Sequence, residues 1–194
     1  MPRLNPVGDL VLTDPQSMRA LADPVRLALV DQLRREGPAT AAELASRLPP
    51  TRSALDDHLL ELERFGIVAS GDTVPGSGDI RWKAVGKGLF FEIPDDPEGQ
   101  SAARELSTTM LLHYADLPRR WAADDEPRLE LDWARAAGLL NAKVTVTAEE
   151  ARRIQEELER LLEPFITRKA DDVPAGAAPV RIISYFLPEA RSER

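Results

Sequence analysis

The chain reads TRSALDDHLLELERFGIV from Thr51 to Val68, and this stretch decides how its N-terminal half folds. Apolar residues recur there at the spacing of one helix face: Leu55, Leu59 and Leu62. Thr51 is a favourable N-cap residue, because its hydroxyl can accept from a backbone N–H of the first turn. We therefore predict a helix over residues 51–65 with a buried apolar face and an outward polar face.

Three shorter helices are predicted before this one. Residues 14–22 carry apolar residues at helical spacing, and Asp23 is a good N-cap for a second helix. Thr40 and Glu43 have the spacing of a capping box, which predicts the start of a short third helix. We expect the first 13 residues to form a loosely ordered arm.

A β-hairpin is predicted after the fourth helix. Strand-forming residues at 67–69 and 80–85 flank a glycine-rich loop. Trp82 alternates with Arg81 and Lys83, so we expect the cations on one face and the indole on the inner face. The order of helix, helix, short helix, helix and hairpin is that of a winged helix-turn-helix, whose second paired helix enters the DNA major groove.

The same residues resemble the ArsR-type winged helix-turn-helix regulators. The resemblance rests on ALADPVRLALVDQL at residues 20–33, on residues 40–48 and on residues 51–68, and it covers roughly residues 14–94. It implies a homodimeric transcriptional regulator with repression as the default. Such a dimer would read a palindromic double-stranded DNA operator through residues 51–65 and a wing at residues 67–87.

The candidate DNA contacts lie at the start of the fourth helix and on the wing. Thr51, Arg52 and Ser53 occupy a helix N-terminus, which favours phosphate and brings short side chains near base edges. An arginine there can hold a phosphate or read guanine with two hydrogen bonds. Wings of similar proteins lie along the backbone or minor groove, which adds Arg81 and Lys83.

Asp56 and Asp57 depart from the family pattern, which usually has a serine and often a histidine at these positions. Two carboxylates on a groove-facing surface repel phosphate, although an aspartate can accept from cytosine N4. We keep both residues as candidate DNA contacts. We also keep the alternative that the winged helix is a protein-interaction module that does not read DNA.

The sequence predicts a boundary after residue 94. Residues 1–94 would form the DNA-binding domain, and residues 95–194 a dimerisation helix followed by a small α/β extension with a candidate effector role. The predicted fold class is therefore mostly α with small β. The helix from about Glu98 carries an apolar stripe with three candidate dimer contacts: Leu106, Met110 and His113.

The extension is predicted to hold one amphipathic helix and several short strands. Thr147 and Glu150 form a second capping-box pattern, which opens a helix with apolar residues through Phe165. Short strands are predicted at residues 128–133, 143–146 and 180–187. Aromatic residues in this half either belong to the core or line a pocket for a small apolar effector: Tyr114, Trp121, Trp133, Phe165 and Tyr185.

Composition excludes several classes of protein. The chain has no cysteine and two histidines, which excludes disulfides and thiolate metal sites. The metal sites of the ArsR-type proteins are therefore not implied here, and we expect no metal or cofactor. We find no nucleophile–base pair and no glycine-rich phosphate loop, so we do not expect an enzyme.

Charge and hydropathy point to a soluble regulator. The net charge is −8, of which −2 falls in residues 1–94 and −6 in residues 95–194. A local basic face remains compatible with the first half, and the acidic second half is unsuited to phosphate. The sequence has no apolar run of membrane-spanning length and no signal-peptide pattern, so we expect a cytoplasmic protein without a membrane partner.

Overall fold

The computed structural model describes residues 3–48 and 52–189, and the chain divides into two compact units, Met1–Gly138 and Leu139–Arg194. The first unit contains, in chain order, β1 (Arg3–Leu4), β2 (Leu10–Leu12), α1 (Pro15–Leu21), α2 (Pro24–Glu36), β3 (Ala39–Thr40), α3 (Ala41–Ala45), α4 (Arg52–Arg64), β4 (Val68–Thr73), β5 (Ile80–Ala84), β6 (Leu89–Phe91), α5 (Pro97–Tyr114), α6 (Leu117–Arg120) and α7 (Leu131–Ala136). A π-helical turn at Trp121–Asp125 and a 3-10 turn at Glu126–Arg128 lie between α6 and α7. The second unit contains α8 (Ala148–Ile166) and a 3-10 turn at Ala170–Asp172.

The predicted helix starts are confirmed by their caps. The Asp14 carboxylate accepts from the Ser17 backbone N–H at 2.9 Å, and α1 begins there. Asp23 accepts from the backbone of the first turn of α2. At α3, the Thr40 hydroxyl accepts from the Glu43 N–H at 3.2 Å, while the Glu43 carboxylate accepts from the Thr40 N–H at 2.8 Å. These side chains satisfy N–H groups that have no partner within the helix.

The apolar stripes of α1, α2, α4 and α5 meet in one core. Its largest fully buried side chains are Leu10, Met18, Leu21, Leu27, Leu29, Val30, Leu44, Leu55, Leu59, Leu62, Ile67 and Leu106. The α4 stripe predicted from the sequence is thus confirmed. Because all three of its leucines are fully buried, the opposite side of α4 is left facing outward.

The wing is an antiparallel sheet with strand order β3-β5-β4. Ala39 of β3 lies opposite Trp82 of β5, and Ala69 of β4 lies opposite Lys83. The Trp82 indole is buried, as predicted from its alternation with the cations. The sheet thereby attaches the hairpin to the residues immediately before α3.

The prediction of a loose N-terminal arm is wrong. β2 pairs in parallel with β6 and antiparallel with β1, and its residues Leu10–Leu12 are all buried. The turn before it is closed by Asn5, whose side-chain oxygen accepts from the Asp9 N–H at 2.7 Å. A strand buried on both faces shows no alternation, and its partner lies almost 80 residues away, so local periodicity could not reveal it.

α5 packs against α1 and α2 of the same chain. Ala102, Ala103 and Leu106 are buried in the common core, and the Thr109 hydroxyl donates to the Ala22 carbonyl at 3.0 Å. The first unit therefore continues past residue 94. The domain boundary predicted after that residue stays a prediction. α5 ends four residues before Pro118, which lies in the first turn of α6.

The second unit confirms the amphipathic helix and corrects the strands. Thr147 and Glu150 form the predicted capping box, and α8 follows it. The strand predicted at residues 128–133 is wrong, because α7 begins inside it at Leu131, where alanines favour a helix. Residues 143–146 and 180–187 have no regular structure, since a strand needs hydrogen-bonded pairing that these segments lack within the described residues. The overall class, mostly α with small β, is confirmed.

Candidate nucleic-acid interface

The paired helices α3 and α4 share an apolar contact. Leu44 of α3 and Leu55 and Leu59 of α4 are fully buried in the common core. The predicted contact Thr51 lies outside the described residues. Arg52 and Ser53 are placed by their backbone at the first two positions of α4, at its N-terminal end.

The outward face of α4 is acidic with one apolar residue at its centre. Asp57 and Arg64 are exposed, and Leu60 between them is 56% exposed. Arg64 lies 3.7 Å from a carboxylate oxygen of Glu61. Over its whole length α4 carries four carboxylates and two arginines. This face therefore lacks the excess of positive charge that binds DNA without regard to sequence.

Asp56 and Asp57 have different surroundings although they are adjacent. Asp57 is exposed, whereas Asp56 is half-buried and lines a shallow depression that the wing residues Ile80 and Trp82 share. A helix turns about 100° per residue, which directs the two carboxylates to different sides. Asp57 is thus the more outward of the two predicted contacts.

Arg81 is held against the start of α3. Its guanidinium donates to the Pro38 carbonyl at 3.1 Å and lies 3.5 Å from the Glu43 carboxylate. The Thr40 backbone N–H, and to a smaller degree the charge of Arg81, hold the pKa of Glu43 below its usual value. Lys83 is exposed on the same face of β5, so it is the wing cation nearer to solvent.

Two residues near this surface were not predicted from the sequence. Leu60 is an exposed leucine on the outward face of α4. Its position next to Leu59, one residue outside the buried stripe, could have indicated this exposure from the sequence. Arg34 of α2 reaches the base of the wing, where its guanidinium lies 3.5 Å from the Val85 carbonyl oxygen. Burial lowers the pKa of Arg34, which marks it as a packed side chain.

The three predicted dimer contacts lie within the chain's own fold. Leu106 is fully buried, and Met110 packs against the same core. His113 is half-buried, with its Nε2 3.6 Å from a carboxylate oxygen of Asp31 on α2. Leu106 is therefore a core residue, which corrects its assignment to a subunit contact. The exposed leucines of α5 are Leu111, at 43%, and Leu112, at 73%.

The aromatic residues proposed for an effector pocket are divided between the two units. Tyr114, Trp121 and Trp133 lie in the first unit, and Phe165 and Tyr185 in the second. The Tyr114 ring meets that of His113 edge to face, with 4.8 Å between centroids. The effector pocket stays a prediction.

Neither a cluster of metal ligands nor a membrane-spanning helix occurs in the part of the chain that the structure describes. Residues 3–48 and 52–189 contain no group of three or more histidine, aspartate or glutamate side chains able to hold a metal ion. Over the same residues, no helix is both long enough and apolar enough to cross a membrane.

A family comparison agrees with the geometry of α3, α4 and the hairpin. Residues 21–70 match the model of a family described as a helix-turn-helix domain. The match contains α2, α3 and α4 and ends within β4, which is the first strand of the antiparallel hairpin. The chain contains a winged helix-turn-helix domain. The fold predicted from its likeness to ArsR-type proteins is thereby confirmed.

Three solved structures show partial similarity to this chain. An ArsR-like transcriptional regulator from Rhodococcus sp. RHA1 is 26% identical, covering 60% of this chain and 92% of its own, with a TM-score of 0.32. A possible transcriptional regulator for arsenical resistance is 28% identical, covering 56% and 95%, with a TM-score of 0.32. A transcriptional regulator homologue from Pyrococcus horikoshii OT3 is 20% identical, covering 50% and 87%, with a TM-score of 0.33.

No curated protein matches the chain.

Proposed function

We propose that this winged helix-turn-helix protein is a DNA-binding transcriptional regulator, acting as a homodimeric repressor on a palindromic operator. Residues 51–65 would enter the major groove, and the wing at residues 67–87 would lie beside it. One helix-turn-helix contacts few base pairs, and a two-fold dimer doubles that number and matches a palindrome.

The observation that carries the proposal is the outward face of α4. Its apolar side is fully buried on the core, and the wing sheet lies next to it with Lys83 exposed. A helix placed this way presents one continuous face to a groove. The backbone of Arg52 lies at its first position, where an arginine can reach a base edge or a phosphate.

The acidic face favours selective over indiscriminate binding. Non-specific affinity arises from cations that replace counterions on phosphate, and α4 has more carboxylates than arginines. Asp57 can accept from cytosine N4, and Leu60 can contact a thymine methyl group. We therefore expect weak binding to arbitrary DNA and a strong preference for a particular site.

Selection of bound fragments from the genome that encodes the protein, followed by fluorescence anisotropy, tests this proposal. The selected duplex and a scrambled duplex are titrated at two salt concentrations, because the salt dependence reports phosphate contacts. Arg52→Ala should weaken binding to the selected duplex by about 1–3 kcal/mol, the scale of one good base contact.

Asp56→Ser and Asp57→Ser form a matched pair for the same titration. If a carboxylate faces phosphate, its removal strengthens binding to both duplexes. If it accepts from a cytosine, its removal relaxes preference at one base pair. We expect the larger effect at Asp57, which is the more exposed of the two.

A protein-interaction module is the second candidate function. The acidic charge of α4 and the engagement of Arg81 by Pro38 and Glu43 favour it. Failure to enrich any fragment, together with unchanged anisotropy for Arg52→Ala and Asp57→Ser in folded protein, would exclude the DNA-reading proposal in favour of this one.

A further inference from the structure

α8 carries an apolar stripe that its own unit leaves open. Leu161 is 66% exposed, Phe165 is 61% exposed and Ile154 is also exposed, while Leu158 between them is half-buried. The helix is 19 residues long and begins with a complete capping box. A contiguous apolar stripe of this kind normally marks a contact surface.

The stripe has the spacing of a coiled coil. Its residues alternate at intervals of three and four: Ala151, Ile154, Leu158, Leu161 and Phe165. This assigns Ala151, Leu158 and Phe165 to heptad position a, and Ile154 and Leu161 to position d. Side chains at a and d insert between those of a partner helix with the same repeat. The partner that this repeat fits is another helix with the same spacing.

The charges beside the stripe favour a second copy of α8 in parallel orientation. Positions g are Glu150, Glu157 and Pro164, and positions e are Gln155 and Leu162. In a parallel pair each g residue faces the e residue of the partner's next heptad. Glu150 then faces Gln155 of the second copy, and Glu157 faces Leu162. No like charges meet, and Leu162 widens the apolar contact.

The antiparallel alternative is less favourable. An antiparallel pair that packs Leu158 against Ile154 of the second copy would bring g positions together, so that Glu157 would approach Glu157 of the second copy. Like charges placed together in this way are destabilising. The remaining charged residues lie on the outer side of the helix, and one of them, Arg160, donates to Glu157 at position g over 2.8 Å.

We propose that α8 is a self-association surface, which pairs in parallel and in register with α8 of a second copy. This inference deepens the proposed homodimer, and it does not depend on DNA binding. The residue whose substitution should separate the subunits is then Leu161, and not Leu106.

Sedimentation velocity of the full chain, without DNA, tests the surface. The native chain should sediment at twice its monomer mass at micromolar concentration, and Leu161→Glu should sediment as a monomer. Arg152→Gln is the matched control, since it changes charge by the same amount on the exposed side of α8 and should stay dimeric. A native monomer, or a dimer that Leu161→Glu leaves intact, would overturn the proposal.

The orientation is tested by cross-linking, which needs no destabilising charge. Because the native chain has no cysteine, a single introduced cysteine is unique. Ile154→Cys alone should form a disulfide-linked dimer under mild oxidation, because identical d positions face one another only in a parallel pair. If a disulfide forms only when Ile154→Cys is mixed with Leu158→Cys, the helices are antiparallel and the proposal is wrong. Neither sedimentation nor cross-linking depends on DNA binding, so failure of the DNA-binding proposal would not affect these two results.

Discussion

The guanidinium of Arg81 donates a hydrogen bond to the main-chain carbonyl oxygen of Pro38 over 3.1 Å. This contact joins the outer side of β5 to the residue just before β3, and the second nitrogen of the same group lies near Glu43 at the start of α3. Arg81 therefore fixes the wing to the helix pair, which is a different role from that expected of a wing cation.

Arg81→Ala should lower the free energy of unfolding by about 0.5–1.5 kcal/mol, the net contribution of a typical hydrogen bond. Lys83→Ala is the control on the same face of the strand, and its stability should change by less than about 0.5 kcal/mol. In DNA titrations Lys83→Ala should reduce the slope of log affinity against log salt by about 1. Urea unfolding and anisotropy measure the two effects. If Arg81→Ala kept its stability but changed the salt slope, Arg81 would be a DNA contact and not a structural residue.

Leu106→Ala should destabilise the folded chain by about 2–5 kcal/mol, because it leaves a cavity in a fully buried site. Leu112→Ala removes the same side chain from the exposed side of α5 and should change stability by less than about 0.5 kcal/mol. Both values come from urea denaturation followed by circular dichroism. Equal stability of the two variants would contradict the placement of Leu106 in the core.

Acid should weaken the start of α3. The Thr40 N–H bonds to the Glu43 carboxylate and lowers its pKa below the ordinary value of 4.5, despite an opposing contribution from desolvation. A depressed folded-state pKa means that the carboxylate stabilises the fold above pH 4.5 and loses this effect as the pH falls through the folded pKa. Glu43→Gln keeps a capping oxygen without a titratable group, so its stability should fall less between neutral and acid pH.

Glu130→Gln is the control for this pH comparison. Glu130 precedes α7 but its side chain makes no capping hydrogen bond, so the substitution should leave the acid dependence as it is in the native chain. Unfolding midpoints of the three proteins across the pH range give the comparison. The same acid dependence in Glu43→Gln and the native chain would argue against a contribution from the capping box.

Gly86→Ala should destabilise the chain more than Gly76→Ala. Both glycines have positive φ, +78° and +91°, where a side chain costs roughly 1–2 kcal/mol. A Cβ at Gly86 would lie 2.6 Å from the Leu10 backbone nitrogen, whereas a Cβ at Gly76 would meet open space. The difference between the two losses in urea unfolding therefore reports the contact with β2. Equal losses would show that the contact relaxes without effect.

Local patterns were sufficient to predict helices α1 to α5, helix α8 and the wing hairpin, but not α7. Asp23, Thr40 and Thr147 each predicted a helix start, because a capping side chain acts within a few residues of its own position. The buried face of α4 and the inward Trp82 also followed from periodicity alone. These features depend on short-range geometry that the sequence encodes directly.

Features that depend on distant segments were not predicted. The pairing of β2 with β6 needs two short strands far apart in sequence, and neither has a pattern of its own. Leu106 looked like a surface for a second subunit because its stripe was apolar, and nothing in the stripe shows that α1 of the same chain covers it. The bond from Arg81 to Pro38 likewise joins residues 43 positions apart.

The parallel pairing of β2 with β6 also sets the order in which parts of the first unit can fold during synthesis. Leu10 is synthesised 79 residues before its partner Leu89. At about 5–20 residues per second, the interval is roughly 4–16 s. During that time β2 lacks its parallel partner β6 and has only the short strand β1 beside it, while the helices that follow can already form. Closure of this sheet is therefore a late event of the first unit, and a chain arrested before Phe91 exposes an apolar strand of the kind that chaperones bind.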